Sequence, residues 1–426
     1  MKSSALAATL GIVSLLIAGC ATDADPQIVG TPDTLWQQAR VVKPDRPWVV
    51  GLGDSYMSGE GARWASNGSN NATVEFNGGW LVGTVDQVYG DSPENTESIP
   101  YCHRSATAPM FTGADVNHAN FACSGAQTNS FVNQYGRAKP GIDFDSITAS
   151  DGQKVEGQAA QLEKFASTHD VDVVTLSIGG NDLGFAEIIS TCVSSWIEGT
   201  PCKDSALIAS RVNPTVKRTL TKRVKGAIQN VNTAMSRSGY KSTDFRLLVQ
   251  LGPSPIPNSD QIDYEDFSFD RQAFGGCGML NADLNYANDK LLPYLDSIIT
   301  GAVQDIRKES GSAAMTVVDM KKALYGHRLC EKGTQRPEAG TGIPPEGFAQ
   351  GVEWIRFISI TAVKLYPESA DAQEAMHPTY FGQRALASCM TLAVDTPATT
   401  TRVGCTLGSP LSFGDQVLPK MALQPE

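Results

Sequence analysis

Two apolar runs that each break into a glycine-rich turn constrain this chain more than any other feature. In the first, Val49-Val50-Gly51-Leu52 leads into Gly53-Asp54-Ser55-Tyr56-Met57-Ser58-Gly59-Glu60-Gly61. In the second, the β-branched stretch from Val171 to Ile178 leads into Gly179-Gly180-Asn181-Asp182. Runs of this kind read as strands buried on both faces, as in parallel sheets. A turn placed directly after such a strand holds its side chains at the carboxyl edge of the sheet, where open α/β folds keep their sites.

The same rhythm continues along the chain. Arg246 to Leu251 and Met315 to Asp319 read as two more strands, and Asn120-Phe121-Ala122-Cys123-Ser124-Gly125-Ala126 reads as another strand-end turn. Between them, Val216, Leu220, Val224, Ile228, Val231 and Met235 recur at three- and four-residue spacing, which is one apolar face of a helix. Ala282 to Ile306 has the same character, with Asn281 as its expected N-cap and Pro293 as a kink or break. Strands alternating with helices in this order predict an α/β fold: a doubly wound, flavodoxin-like parallel sheet of about five strands with helices on both faces. Insertions are expected at about 60–101, 252–278 and 331–370. The first is rich in Gly, Asn and Ser and carries Trp64, Phe76, Trp80 and Tyr89. It reads either as a functional flap or as a loop held by its own aromatic cluster.

The N-terminus reads as an export signal. Lys2 supplies the n-region charge, Ala5 to Ala18 is a short apolar stretch, and Ile17-Ala18-Gly19-Cys20 resembles a bacterial lipobox. On that resemblance, residues 1–19 are removed, Cys20 becomes a lipidated N-terminus, and 20–40 form a tether to a folded domain over 41–426. An ordinary secretory signal and an uncleaved anchor are the alternatives, although the run is short for a membrane span. Eight cysteines follow Cys20, an even number that in an exported chain reads as a disulfide framework. Nearest-neighbour pairing gives Cys102–Cys123, Cys192–Cys202, Cys277–Cys330 and Cys389–Cys405. None of their spacings is a zinc pattern, and with five histidines in the chain no metal and no cofactor is expected. The formal charge of −11 becomes −12 once the segment with Lys2 is removed, and no basic block exists, so nucleic acid is excluded as a partner. A monomer is expected.

The chemistry centres on Ser55. A serine hydroxyl is a poor nucleophile unless a base takes its proton, and histidine is the side chain whose ordinary pKa suits that task near neutrality. Among His103, His118, His169, His327 and His377, the last has the best setting. Pro378 disfavours a helical backbone at His377 and suits the first turn of a helix through Phe381 to Met390. His103 and His327 each lie beside a cysteine expected in a disulfide. Three groups are candidates to hold a developing oxyanion: the backbone N–H of Ser55, the N–H of Gly125, and the side-chain amide of Asn181.

Taken together, Gly53-Asp54-Ser55-Tyr56, the Gly125 turn, Gly179-Gly180-Asn181-Asp182 and the acid-x-x-His377-Pro378 segment resemble the four blocks of the SGNH (GDSL) hydrolase family. The resemblance extends toward its secreted actinobacterial-type lipases and esterases through Cys102-His103-Arg104-Ser105 and Gly326-His327-Arg328-Leu329-Cys330. It runs over roughly Trp48 to Met390. It implies an SGNH fold with inserted loops, Ser55 as nucleophile, Ser55, Gly125 and Asn181 as oxyanion hole, and His377 as base. The family commonly has Asp three residues before the histidine, where this chain has Glu374; Asp371 and a main-chain carbonyl are the other candidates to orient the imidazole. The G-x-S-x-G elbow of α/β-hydrolases is absent around Ser55.

The expected activity is therefore carboxylic-ester hydrolysis by a lipid-anchored, extracytoplasmic lipase or esterase whose substrate is an acyl ester. A deacylase or acyltransferase acting on envelope glycans would use the same four blocks. A binding lipoprotein that has lost the chemistry is the non-enzymatic alternative.

Overall fold

A computed structural model describes residues 39–40, 46–64, 75–76, 79–80, 88–91, 96–109, 117–309, 312–334, 348–409 and 419–425. The signal, Cys20 and most of the tether lie outside these residues, as do 65–74, 77–78, 81–87 and 92–95 of the 60–101 segment and 335–347 of the 331–370 segment. Among the described residues no helix is long and apolar enough to cross a membrane.

The strands of the central sheet are β1 (Ala39–Arg40), β2 (Trp48–Gly53), β3 (Asn117–Asn120), β4 (Val171–Ser177), β5 (Arg246–Leu251), β6 (Ala314–Lys322), β7 (Arg402–Leu407) and β8 (Met421–Pro425). They form one sheet in the order β1-β3-β2-β4-β5-β6-β7-β8. From β3 to β7 every pairing is parallel, and β1 and β8 close the two edges antiparallel. The five expected strand positions are all present. The sheet exceeds the expected five because β7 continues the parallel part and two antiparallel edges are added.

Every residue of β2 is buried, and so are the last five of β5. A strand with no exposed alternate residue must be covered on both faces, which is why these segments are apolar throughout. Helices supply the cover: α1 (Ser55–Ser58), α2 (Gln158–Ala166), α3 (Phe185–Ile197), α4 (Pro214–Arg237), α5 (Leu292–Arg307), α6 (Ala370–Glu374) and α7 (Tyr380–Val394). On α4, Leu220, Val224, Ile228, Val231 and Met235 are buried at the expected helical spacing. Each contributes about 1.5–3 kcal/mol by leaving water. Asn213 caps α4, accepting from the N–H groups of Thr215 and Val216, and Pro214 occupies the first position.

One local expectation changes and another holds. Asn281 does not cap its helix; Leu280 takes that position, and the Asn281 side chain accepts from Arg271 Nη2 at 2.7 Å. The helical run that follows is interrupted by a π-helical stretch at Ala287–Leu291 and resumes as α5 with Pro293 in its first positions, the break expected at that proline.

All eight cysteines after Cys20 form disulfides in the nearest-neighbour pattern, Cys102–Cys123, Cys192–Cys202, Cys277–Cys330 and Cys389–Cys405. Cys277–Cys330 joins the segment after β5 to the one after β6. Cys389–Cys405 ties α7 to β7.

Candidate active site

The parallel part of the sheet begins at β2, crosses outward to β3, then returns to the other side at β4, so the winding reverses between β2 and its neighbours. Open α/β sheets form a crevice at the carboxyl ends of such strands. Ser55 follows β2, Gly125 follows β3 and Asn181 follows β4, so three adjacent parallel strands deliver three candidate site residues to one rim.

The turn at Ser55 is built by close backbone approach. Gly53 has φ +136°, and a Cβ there would lie 2.0 Å from the Ser177 carbonyl oxygen. Only glycine tolerates that position. The Gly53 N–H donates to Gln158 Oε1 at 2.7 Å, and Gln158 Nε2 donates to the Gly53 carbonyl at 2.9 Å. Asp54 N donates to the Ser177 carbonyl at 2.8 Å, while the Asp54 carboxylate caps α1 by accepting from Tyr56 N at 3.2 Å. Burial pushes the Asp54 carboxyl up to about 7, against the hydrogen bonds from Tyr56 and Ser177 that pull it down. Ser55 is thus fixed at the first position of a helical turn. Among the described residues its N–H and that of Gly125 are engaged in no hydrogen bond. Asn181 donates one amide hydrogen to the Ala126 carbonyl at 3.0 Å, which ties its side chain to the Gly125 turn and leaves its second hydrogen unassigned.

His377 lies 322 residues from Ser55 in sequence, and its Nε2 is 2.6 Å from Ser55 Oγ. Its Nδ1 is 3.1 Å from the carbonyl oxygen of Ala375. A carbonyl can only accept, so Nδ1 carries the proton and Nε2 presents its lone pair to the serine hydroxyl. The loop is held from several sides. Met376 N donates to the Arg356 carbonyl at 3.0 Å, Arg356 N donates to the His377 carbonyl at 2.8 Å, and Tyr56 OH donates to the Met376 carbonyl at 3.0 Å. Met376 itself takes φ +66°, an uncommon backbone state for a side chain of that size, and this turn is what aims the Ala375 carbonyl at the imidazole. Pro378 does not open α7, as expected from sequence; it precedes Thr379, the N-cap, and bridges to Ile355.

The expectation that Glu374 orients the imidazole is corrected here. Glu374 is fully buried at the end of α6, and both of its oxygens have other partners. Oε1 accepts from Arg63 Nε at 2.6 Å and from Tyr89 OH at 2.7 Å, and Oε2 accepts from Trp64 Nε1 at 2.7 Å. Asp371, the second candidate, is half-exposed and pairs with Arg63 Nη2. The longer arm of Glu374, compared with Asp, reaches past the histidine to the segment after α1. Of the three candidates, the main-chain carbonyl is the one in contact with His377.

Sequence reasoning missed a second buried polar group beside the site. Glu60 Oε1 and His103 Nδ1 are 2.7 Å apart, and both side chains are fully buried. Burial pushes the Glu60 carboxyl up, but the charge and hydrogen bond of His103 outweigh it and hold it at about 2. For His103, burial opposes the charged form and Glu60 more than restores it, so its pKa is raised. The other histidines have structural settings: His327 stacks on Trp354 and contacts the Val352 carbonyl through Nδ1, His169 stacks on Phe165, and His118 is buried in β3. Lys139 is also buried, and burial pulls its ammonium down to about 8 while Glu60 and Glu97 draw it up.

Ser55, Gly125, Asn181 and His377 all line one cavity of about 410 Å³. Ile178, Phe185, Ile189, Leu292, Leu295 and Ile299 supply much of an apolar wall. Pro253 and Pro255 reach it from the segment after β5, and Val363 and Pro367 from the segment before His377.

No family model matches the chain. Over 147 residues it is 29% identical to Lipase 1 of Streptomyces coelicolor, a match covering 34% of this chain and 34% of that protein, so the similarity spans about a third of the relative's length. Similar solved structures include an extracellular lipase from Streptomyces rimosus, with a TM-score of 0.42 and 16% identity, covering 82% of this chain and 100% of that one. A phospholipase A1 from Streptomyces albidoflavus has a TM-score of 0.42 and 19% identity, with the same coverage of 82% and 100%.

Proposed function

We propose that this protein is a serine-dependent carboxylic-ester hydrolase that works outside the cytoplasmic membrane, anchored by a lipid on Cys20. The observation that carries the reading is the 2.6 Å contact between Ser55 Oγ and His377 Nε2 on the wall of a cavity that also holds Gly125 and Asn181. A serine and a histidine so far apart in sequence meet in this geometry, with the tautomer set for proton transfer, when the hydroxyl is to be a nucleophile.

In the reaction, Ser55 Oγ attacks the ester carbonyl while its proton passes to His377 Nε2. The Nδ1–H keeps its bond to the Ala375 carbonyl, whose partial negative charge faces the imidazolium as it forms. The N–H groups of Ser55 and Gly125 and the Asn181 amide receive the developing oxyanion; one such donor supplies roughly 3–4 kcal/mol. His377 then protonates the leaving alcohol. Water, activated by the same histidine, releases the acyl group from Ser55. Wall residues such as Phe185, Ile189, Leu292 and Leu295 favour an acyl chain longer than acetyl, which supports the lipase or esterase reading over a glycan deacetylase.

The test is hydrolysis of p-nitrophenyl acetate, octanoate and palmitate by the wild type and by Ser55→Ala. The reading expects a preference for the longer chains and loss of turnover in the variant. Acetyl preference supports the deacylase reading, and full activity in Ser55→Ala removes the assignment. Lipid anchoring is tested separately: Cys20→Ala should move the protein from the membrane fraction to the soluble one.

A further inference from the structure

Lys139 is a cation on the wall of the reaction cavity, and it is 2% exposed. Its Nζ donates to the Tyr101 carbonyl at 2.7 Å, and among the described residues it forms no ion pair with a carboxylate. An ammonium taken out of water without a direct counter-ion is costly, and such groups concentrate at functional sites. The place is specific. A Cβ on Gly125 would lie 3.4 Å from Lys139 Cε and 3.7 Å from Nζ, so the lysine side chain packs directly against the Gly125 turn, on the cavity that Ser55 also lines. Neighbouring contacts hold it there. Ala138 and Lys139 pair with Phe131 and Val132, the adjoining Pro140 carbonyl accepts from the Gln158 side chain that also clamps Gly53, and the Arg137 guanidinium lies 3.2 Å over the Tyr101 ring.

Resting on the Ser55 reading above, we propose that the Lys139 ammonium is an electrostatic positioning group for that reaction. Packed against the Gly125 turn, it stabilises the negatively charged tetrahedral intermediate through its field, while its own hydrogen bond goes to the Tyr101 carbonyl. The carboxylates facing Lys139 offset part of this field. Glu60, beyond the nucleophile turn, is neutralised by His103; Glu97, on the segment before Cys102, accepts from the N–H groups of Tyr101 and His103; Arg137, on its own hairpin, adds to the positive field. A charge in this position contributes to kcat rather than to substrate affinity, because the ground-state ester is neutral.

The experiment is the pH dependence of kcat and KM on p-nitrophenyl octanoate, from pH 6 to 10, for the wild type, Lys139→Met and Lys139→Arg, with Tm measured at each pH. The wild-type kcat should fall along an alkaline limb as the ammonium loses its proton near pH 8. Lys139→Met should be slower by about tenfold to a hundredfold at pH 7, with KM within twofold and that limb gone. Lys139→Arg should recover most of the rate and move the limb upward, and this variant alone decides the matter if Lys139→Met does not fold. A wild-type limb in Lys139→Met or Lys139→Arg overturns the proposal, as does a rise in KM at constant kcat, which would make Lys139 a contact for a substrate anion. Ser55→Ala assayed alongside separates the levels: activity retained there removes the underlying reading, whereas activity lost there with an unchanged limb in the Lys139 variants removes only this inference.

Discussion

The carboxylate of Glu374 and the guanidinium of Arg63 form a buried ion pair, 2.6 Å apart, that joins the segment after the nucleophile turn to the loop carrying His377. Trp64 and Tyr89 complete the shell around the same carboxylate. Glu374 therefore holds together the two segments that bring serine and histidine into contact, without touching either reacting group.

The first prediction follows. Glu374→Gln removes the buried one of the two carboxylates paired with the Arg63 guanidinium and leaves Asp371, a change worth about 1–3 kcal/mol of stability. Denaturant melts should show that loss. At a temperature where the variant remains folded, kcat on p-nitrophenyl octanoate should stay within about threefold of wild type. A loss of a hundredfold or more in folded protein would restore Glu374 as the group that orients the imidazole.

Asn181 gives a cleaner kinetic signature. Its side chain is placed by the bond to the Ala126 carbonyl, and in the proposed reaction its remaining amide hydrogen serves as the third oxyanion donor. Asn181→Ala should lower kcat by about a hundredfold with little change in KM, since the donor acts on charge that exists only in the transition state. A rise in KM at unchanged kcat would assign it to substrate binding instead.

Asp54 makes stability depend on pH. Its folded pKa, about 7, lies above the 3.8 of an ordinary aspartate, the value expected in the unfolded chain. The folded state therefore holds a proton that the unfolded state has released between those values, so this contribution is complete below about pH 3.8 and is lost as pH rises through 7. Above pH 7 the buried charge costs on the order of 4 kcal/mol. Asp54→Asn keeps an acceptor for Tyr56 N and cannot ionise. Relative to wild type, it should gain stability at pH 8.5 and little at pH 4, read by urea melts at the two values. A gain of the same size at both would show that ionisation of Asp54 is not the cause.

The strand ends were legible because the chemistry sits where apolar runs stop. Val49 to Leu52 and Val171 to Ile178 announce buried strands, and the glycines after them announce turns, so Ser55 and Asn181 could be placed at one edge from composition and order. The orienting group was not legible in the same way. A main-chain carbonyl belongs to every residue and carries no sequence identity, and the positive φ of Met376 that aims it falls on a residue with no preference for that state. The strand β3 reads Asn-His-Ala-Asn, all four buried, and its polar side chains conceal the pattern, although the turn after it was visible. Short β7, broken by Gly404 and Cys405, and the edge strands β1 and β8 lack any run long enough to register as a strand. Glu60 and His103 are two charged residues that only the folded chain brings together, 43 positions apart in sequence.

The central claim is that Ser55 is activated by His377 to attack an acyl carbon. It is tested most directly by reacting the protein with a fluorophosphonate, which is inert to unactivated serines, and mapping the adduct by peptide mass spectrometry. One equivalent should attach to Ser55, none to Ser55→Ala, and His377→Ala should react more than a hundredfold more slowly at unchanged Tm. Labelling at another residue, or wild-type labelling rates in His377→Ala, would contradict the account.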